Sequence, residues 1–548
     1  MISSFISNYF ISRDYIKNNK KYFDNNNSIK NSKILVEFNA FCASHISFSY
    51  LANVIAKKNN SKIVAFYNYS LISSSLKYKF INKMKWTLGN FFNLKNFGIY
   101  RSFGTKAIIR PNISNLNEKK SEEYFKKIYS KLKNKSDILD IKIDNILIGD
   151  LIYDTYLKKY TEPTIEIKNK KFKDLLSEFL KLYFYWVTYL KQNKITSIIG
   201  VHTPYSYGLV LRIGIAKKIP TYVTSSRFMY YLNEKMPYMH GDFRSFKNKF
   251  KKFSKENKKN AFLLAKKRLN LRFKGIAGSK VDLISNEKSS FQKKIHKRLI
   301  KSNKKIKILI SPHDFFDAVH IYGKTLFSDF YEWLHFLGKL SISSNYDWYI
   351  KNRPNFSGKF EIYQPHTNKV IRYITKKYPK IKLLPNDYSH HQIIKEKIDF
   401  VLTGYGSVGI EYPYFNIPVI NASRNNPHIG YKFNIHPKNK LEYELMLKNL
   451  KKIKKKKMKF KKKDIFEYYF MRNIFTDKNW LIDDLPKMIN FVGGYDGQFT
   501  YKYYQYWLKN FSKEKHNKTI KIINNFINSG DNSLNIVHSE KFKKLLIN

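Results

Sequence analysis

Apolar residues in this chain gather into short continuous runs separated by longer stretches of helical spacing, the pattern expected of parallel α/β structure. Residues 34–38 (ILVEF) predict a buried strand, 45–58 a helix and 62–67 (KIVAFY) a second strand. Strand, helix and strand within about 35 residues make a βαβ unit. Further on, 143–148 is strand-like and 172–192 is a long helix with a broad apolar stripe. A strand at 197–201, a helix at 207–217 and a strand at 221–223 continue the alternation.

A second α/β block starts at 307–310 (KILI). It continues through a helix at 327–340, a strand at 347–351, a helix at 369–378 and a short strand at 380–384. A helix at 389–395, a strand at 400–402, a Gly-rich turn, another helix and a strand at 418–420 complete it. The stretch between the blocks is lysine-dense and lacks proline, which predicts a helical connector. The expected organisation is an N-terminal extension (1–32), a first Rossmann-like domain (33–245), a basic connector (246–304), a second Rossmann-like domain (305–495) and a helical tail (496–548). The predicted fold class is therefore α/β, two facing Rossmann-like domains with a helical C-terminal segment.

Composition narrows the classes. The 548 residues are 43% hydrophobic, enough to fill the cores of two or three domains and to exclude wholesale disorder. A single cysteine, Cys42, excludes an internal disulfide framework and a Cys-rich zinc module. Lys+Arg 102 against Asp+Glu 41 gives a net charge of +61. The excess is mostly lysine and travels with Asn, Ile, Tyr and Phe, the residues that A/T-rich codons encode, so codon bias accounts for much of it. Such a surface still attracts phosphorylated ligands and anionic membrane. The lysine block at 451–463 (KKIKKKKMKFKKK) reads as a solvated face or as a polybasic membrane patch. No stretch reaches the roughly 20 apolar residues that span a bilayer. A cytoplasmic protein, peripheral on the inner membrane, is expected.

The sharpest local motif is 399–411 (DFVLTGYGSVGIE), followed by Asn416-Ile-Pro-Val-Ile420. It reads as a strand, a Gly-Ser turn and a helix start, where outward N–H groups suit a phosphate. Gly404 and Gly406 would let backbone approach a ligand, with Ser407 at the turn. Glu411, one helical turn on, is placed to accept two ribose hydroxyls. The plainer reading is an ordinary β-α turn with Glu411 as a dipole partner.

Around this turn the chain resembles the C-terminal domain of bacterial capsule and surface-polysaccharide biosynthesis proteins of the two-Rossmann (GT-B) glycosyltransferase type, and among them capsular Kdo transferases. The resemblance rests on Ser311-Pro-His-Asp-Phe-Phe-Asp317, His320-Ile-Tyr-Gly323, Phe327-Ser-Asp-Phe-Tyr-Glu-Trp333, Tyr346-Asp-Trp-Tyr-Ile-Lys351 with Arg353-Pro354, the Gly406-Ser407/Glu411 turn, and Asn425-Asn-Pro-His428 through His436-Pro437. It covers about a quarter of the chain well, and the N-terminal half matches in architecture only. It implies that Gly404, Gly406 and Ser407 hold phosphate, Glu411 the ribose, and His313, Lys351 and Arg353 the donor's charge. Arg353 stands where the commoner pattern has a histidine, which favours a permanent cation there.

Asp314 and Asp317 follow the first strand of the second block and are candidate catalytic carboxylates. Metal binding there is conceivable, but loop histidines and carboxylates more often make structural hydrogen bonds. No Asp-x-Asp occurs in the chain, so no metal and no cofactor beyond a nucleotide-sugar substrate is expected. An inverting transfer needs a base for the acceptor hydroxyl, and Glu37, His45 and His202 are candidates; a retaining one needs none. The leading expectation is a metal-independent glycosyltransferase acting on a glycan or lipid-linked acceptor at an anionic membrane surface, with no nucleic acid partner. A polyol-phosphate transferase of the teichoic-acid type and a basic nucleic-acid-binding or scaffold protein are the alternatives.

Overall fold

The computed structural model describes residues 2–23, 31–68, 71, 80–112, 115–276, 289–291, 294–354, 364–456 and 458–542. The chain divides into two compact units. The first comprises Met1–Lys159, Glu166–Met239 and Thr476–Lys544; the second comprises Tyr160–Ile165, His240–Phe475 and Leu545–Asn548.

The first unit is built on strands β1 (Ser32–Phe38), β2 (Ser61–Tyr67), β3 (Thr105–Ile109), β6 (Ile195–Gly200), β7 (Thr221–Ser225) and β8 (Phe228–Leu232), while β4 (Lys142–Ile143) and β5 (Ile146–Leu147) pair apart from that sheet. The main sheet runs β3-β2-β1-β6-β7-β8. All its pairings are parallel except the β7–β8 edge. Leu35 of β1 pairs with both Val64 and Ile198, so the strand is interior to the sheet, and consecutive residues along it are buried, so both its faces are covered and it reads as a continuous apolar run.

Residues 143–148 do not form a strand of the main sheet. Asp144 (φ 50°) and Asn145 (φ 64°) both take the left-handed conformation, folding the segment into the two-residue hairpin β4–β5. Arg212 fixes that hairpin by forking Asp150 (3.1 and 2.7 Å) and donating to the Leu147 carbonyl (2.8 Å).

The N-terminal helix and residues 476–542 belong to the first unit. Residues 2–23 form a helix rather than a loose extension. Its Tyr15 stacks on Tyr504 of the helix Lys502–Lys509, with ring centroids 4.2 Å apart. Residues 476–495, expected in the second Rossmann-like domain, also lie in the first unit. Trp480, for example, is buried there and donates to the Ser225 carbonyl at the end of β7 (3.3 Å).

The second unit holds a five-stranded, all-parallel sheet of β9 (Lys307–Ile310), β10 (Asp347–Ile350), β11 (Ile381–Leu383), β12 (Phe400–Thr403) and β13 (Val419–Asn421), in the order β11-β10-β9-β12-β13. Leu309 sits between Tyr349 and Val401 and, with Ile393, Val408, Tyr412 and Val419, forms the core of one face. The strand order reverses between β9 and β12, so the chain leaves their paired carboxyl ends in opposite directions, at the kind of position where open α/β sheets bind ligands. The expected connector is not separate from this unit. Its helix Lys255–Phe273 packs on the helix Lys462–Phe470. Both units are thus Rossmann-like. Lys454 of the lysine block pairs with Asp399 (2.7 Å), and Lys462 lies over the Tyr414 ring (4.5 Å), so the block is partly engaged; Lys457 lies outside the described residues.

Candidate functional site

The turn after β12 is held from behind by the loop after β9. The Tyr405 N–H donates to His313 Nε2 (3.1 Å), and the Thr403 hydroxyl reaches the same nitrogen at 3.4 Å. The His313 ring lies between Phe330 and Tyr405, with centroids at 5.2 and 4.2 Å. That enclosure, helped by the Arg353 charge, lowers its pKa to about 3. His313 is therefore neutral, and its ring supports the turn instead of carrying charge to a ligand. The glycines serve the same packing. A Cβ on Gly404 would come within 2.8 Å of the Phe330 ring, and one on Gly406 within 2.9 Å of Thr403 Oγ1. The Cβ positions of both are thus taken up by the protein's own side chains, so each glycine is needed for the packing of the turn.

Behind Ser407 lies a buried ionic cluster that joins four distant stretches of chain. Glu411 Oε1 accepts from Arg272 Nε at 2.6 Å and also from Arg272 Nη2. Arg272 Nη2 also donates to Ser407 Oγ at 3.2 Å. His390 Nδ1 stands 3.6 Å from Glu411 Oε2, too far for a hydrogen bond, so Oε2 keeps open acceptor capacity among the described residues. Lys351, just past β10, is buried and donates to the Asn352 carbonyl (3.2 Å).

Burial alone would raise Glu411, but the Arg272 charge and His390 outweigh it and hold the carboxyl at about 2. Burial pushes Lys351 down to about 8 against the pull of Glu411 and Asp387. It also takes His390 to about 4, with the Lys351 charge adding to the effect. At neutral pH two cations face one carboxylate, leaving a net positive cluster under the turn. With Oε1 committed to Arg272, Oε2 is the Glu411 oxygen open to a ribose.

A pocket of about 210 Å³ opens beside this cluster, lined by Arg272, Ser407, Glu411, Tyr405, Tyr322 and Arg472 among others. Arg472 rides on a π-helical turn, Met471–Phe475, and donates to Tyr322 Oη (3.0 Å) and the His240 carbonyl (3.2 Å). Such turns recur at functional sites because they re-aim one side chain out of helical register. His428 also lines the pocket, and Asn434 Nδ2 donates to its Nδ1 at 3.0 Å. Its ring lies so close to the helix Val408–Tyr414 that a Cβ on Gly409 would come within 2.4 Å of it.

The remaining candidates separate from this group. Asp314 Oδ1 accepts from the Phe316 N–H (3.0 Å) and the Thr367 hydroxyl (3.3 Å), and Oδ2 lies 3.7 Å from Arg353. That is a loop-fixing arrangement, and it leaves Arg353 partly exposed beside a carboxylate. Asp317 is exposed. His320 donates from Nε2 to the Ser328 carbonyl (3.0 Å) and is buried. Among the described residues no group of three or more His, Cys, Asp or Glu is arranged to hold a metal ion.

Glu37 and His45 lie in the first unit and have opposite characters. Glu37 ends β1 at the strand-order reversal of that sheet and is buried, with Oε2 accepting from the Val201 N–H (3.0 Å). Burial raises it to about 7, although hydrogen bonds from Val201, Asn39 and Asn68 pull the other way. His45 has both ring nitrogens occupied, Nδ1 by the Tyr504 hydroxyl (2.5 Å) and Nε2 by the Asn39 carbonyl (3.0 Å). Burial lowers it to about 4. A proton-accepting role for His45 would therefore require the Tyr504 hydrogen bond to be given up first. His202 stacks on Phe41 at 5.8 Å.

Sequence reading missed Arg272, His390, Tyr405, Tyr322 and Arg472. One signal was available. In a chain whose composition favours lysine, arginine supplies few of the 102 basic residues, and it persists where a rigid fork must meet a buried carboxylate.

The buried histidines set an acid limit. His45, His390 and His436 are lowered to about 4, and His313 and His428 to about 3, in each case mainly by burial. Unfolded histidines take up protons near 6.5, so between about pH 6.5 and 4 the unfolded chain binds more protons and stability falls with falling pH. Glu37, raised to about 7 by burial, and Glu467, also raised by burial, act in the opposite sense to these five imidazoles. Thermal melts should give a clearly lower Tm at pH 5 than at pH 7; an unchanged Tm would mean these imidazoles are solvated.

No protein-family model matches the sequence, and no curated protein matches it. Among solved structures, KpsC from Thermosulfurimonas dismutans, a beta Kdo 2,4 transferase, is similar over 50% of this chain and 79% of its own, at 11% identity and a TM-score of 0.30. UDP-GlcNAc 2-epimerase from Neisseria meningitidis is similar over 80% of this chain and 97% of its own (10% identity, TM-score 0.23). A glycosyltransferase from Rickettsia africae is similar over 88% of this chain and all of its own (12% identity, TM-score 0.23). At these scores the comparison adds nothing to the two parallel sheets described above.

Proposed function

We propose that this chain is a glycosyltransferase that binds a nucleotide-activated sugar in the pocket of its second unit and passes the sugar to a glycan or lipid-linked acceptor. The observation that carries the proposal is the pocket at the reversal of strand order, with Arg272, Arg472 and Ser407 on its wall. The guanidiniums of Arg272, bound to Glu411, and Arg472, 3.6 Å from Asp242, offer the forked donors that a diphosphate needs, and the Tyr322 and Tyr405 rings offer faces for a base or sugar. Catalysis would come from stabilising the departing phosphate. In an inverting transfer the acceptor oxygen bonds to the anomeric carbon as the bond to phosphate breaks, and Glu37 takes the hydroxyl proton. Glu37 suits that task because its burial leaves it near neutrality.

A nucleotide panel (CMP, CDP, UDP, GDP, ADP) titrated by calorimetry tests the reading. One nucleotide should bind selectively, and Ser407→Ala and Arg472→Gln should each weaken it by about tenfold, the loss of one charge-assisted hydrogen bond. CDP as the chosen ligand would favour a polyol-phosphate donor over a hexose. If all five bind weakly, equally and only at low salt, the basic surface is acting without specificity and the transferase reading fails.

A further inference from the structure

The helix Phe80–Phe91 of the first unit turns the wrong face outward. Its inner side is well packed: Trp86 meets Phe38, Tyr67 and Phe97 with ring centroids 5.0–5.5 Å apart, and a Cβ on Gly89 would touch the Phe97 ring at 2.8 Å. The opposite side should be polar in a helix facing water. Instead Met84, Leu88 and Phe91, at helical spacing, are exposed, and Phe92 and Leu94 extend the surface into the turn. Phe91 is 78% exposed and Phe92 60%, with their rings meeting edge to face at 4.9 Å.

The tip is not a loose loop. Asn93 (φ 53°) and Lys95 (φ 51°) take left-handed conformations, the Leu94 N–H donates to the Gly89 carbonyl (2.9 Å), and the Phe97 N–H donates to the Leu94 carbonyl (3.1 Å). The close approach of Gly98 to the Asn93 carbonyl, where a Cβ would sit at 2.5 Å, locks the turn to the next helix, Asn96–Ser102. A rigid protrusion that displays five large apolar side chains is more than the scattered exposure normal for a soluble surface.

The charge around it is one-sided. No Asp or Glu occurs between Glu37 and Glu118, while Lys83, Lys85, Lys95, Arg101, Lys106 and Arg110 fall within the protruding segment and the strand that follows. Codon bias can enrich lysine, but it does not explain a span this long without a carboxylate. Lys85 and Lys95 are exposed beside the apolar tip. The Arg110 guanidinium covers the Trp86 ring at 5.7 Å, and Arg101 reaches Asn90 Oδ1 at 3.2 Å, so positive charge reaches the base of the helix.

We infer that residues 84–95 form a membrane-inserting wedge, with Phe91, Phe92, Leu88 and Leu94 entering the acyl boundary of an anionic bilayer and Lys85 and Lys95 at its headgroups. Apolar insertion and cation–headgroup attraction together make reversible interfacial binding, each being marginal alone. Among the described residues no helix is long and apolar enough to cross a membrane, so attachment at this depth would be peripheral. The inference is independent of the nucleotide pocket and survives if that reading fails.

The test is co-sedimentation of the full chain with vesicles of phosphatidylcholine alone or mixed with phosphatidylglycerol. Wild type should partition onto the anionic vesicles. The double variant Phe91→Ser/Phe92→Ser should bind at least about tenfold more weakly at physiological salt. Lys85→Glu/Lys95→Glu should also weaken binding to anionic vesicles, and Leu441→Ser, an exposed leucine of the second unit, should change nothing. Because the substituted side chains are exposed, circular dichroism should show each variant folded. Two results overturn the inference. The Ser/Ser variant could bind as tightly as wild type, making the general surface charge responsible. Alternatively, vesicle binding could be unchanged while the variant loses self-association in sedimentation velocity, making the patch an interface between copies of the chain.

Discussion

Arg272→Met is expected to cost the second unit about 3–5 kcal/mol, because it strands Glu411 in a buried site with its Oε1 partner gone. Burial would then drive the carboxyl up from about 2 toward protonation near neutral pH, since the Arg272 charge is the principal force holding it down. The double variant Arg272→Met/Glu411→Gln should recover much of the loss, because it removes the buried charge along with its partner. Urea unfolding of the two variants measures both effects. Nucleotide affinity should remain impaired in the double variant, because Arg272 also lines the pocket and holds Ser407 Oγ. If Arg272→Met costs less than about 1 kcal/mol, Glu411 has another source of compensation, and the cluster is not the keystone of the site.

Glu37→Gln is expected to lower the rate of sugar transfer by about 10²–10⁴-fold with little change in stability. The amide keeps an oxygen for the Val201 N–H, so the fold around β1 and β6 should persist, while proton uptake is lost. In wild type the rate should rise with pH as the carboxyl, held at about 7, ionises, and the variant should lose that limb of the profile. The sign follows from burial. The neutral form is favoured below about 7, so the base is available only above it. A Gln variant with wild-type rate and an unchanged profile would leave Glu37 as a buried hydrogen-bond acceptor for the β6 turn.

The two predictions differ in how much the sequence foresaw. Glu37 is legible because it is the lone charged residue in an apolar strand run, and a carboxylate in such a place must be neutralised, paired or used. Its pKa is not legible, since that depends on what closes over it. Arg272 looked like one more cation in a basic connector. Its carboxylate partner lies 139 residues away in sequence, and no local pattern links the two. His45 shows the same limit in reverse. It begins a helix where a base was expected, but its free nitrogen is taken by Tyr504, which lies 459 residues along the chain. The hairpin at 142–147 was misread because Ile143, Ile146 and Ile148 supply an apolar run, while two left-handed residues between the strands break it.

By itself, the sequence left out the strands β3 and β8 but determined β1, β2, β6 and β7 of the first sheet, the five strands of the second, the two-block α/β plan and the turn after β12. These follow from the period of apolar positions and the placement of glycine, which act over a few residues and so are written locally. Tertiary structure alone decided which charges meet, which histidines are enclosed, where the C-terminal helices pack, and which face of the helix Phe80–Phe91 is left bare. The physical reason is that burial sets the cost of every charge and the reach of every hydrogen bond, and burial is made by residues hundreds of positions apart.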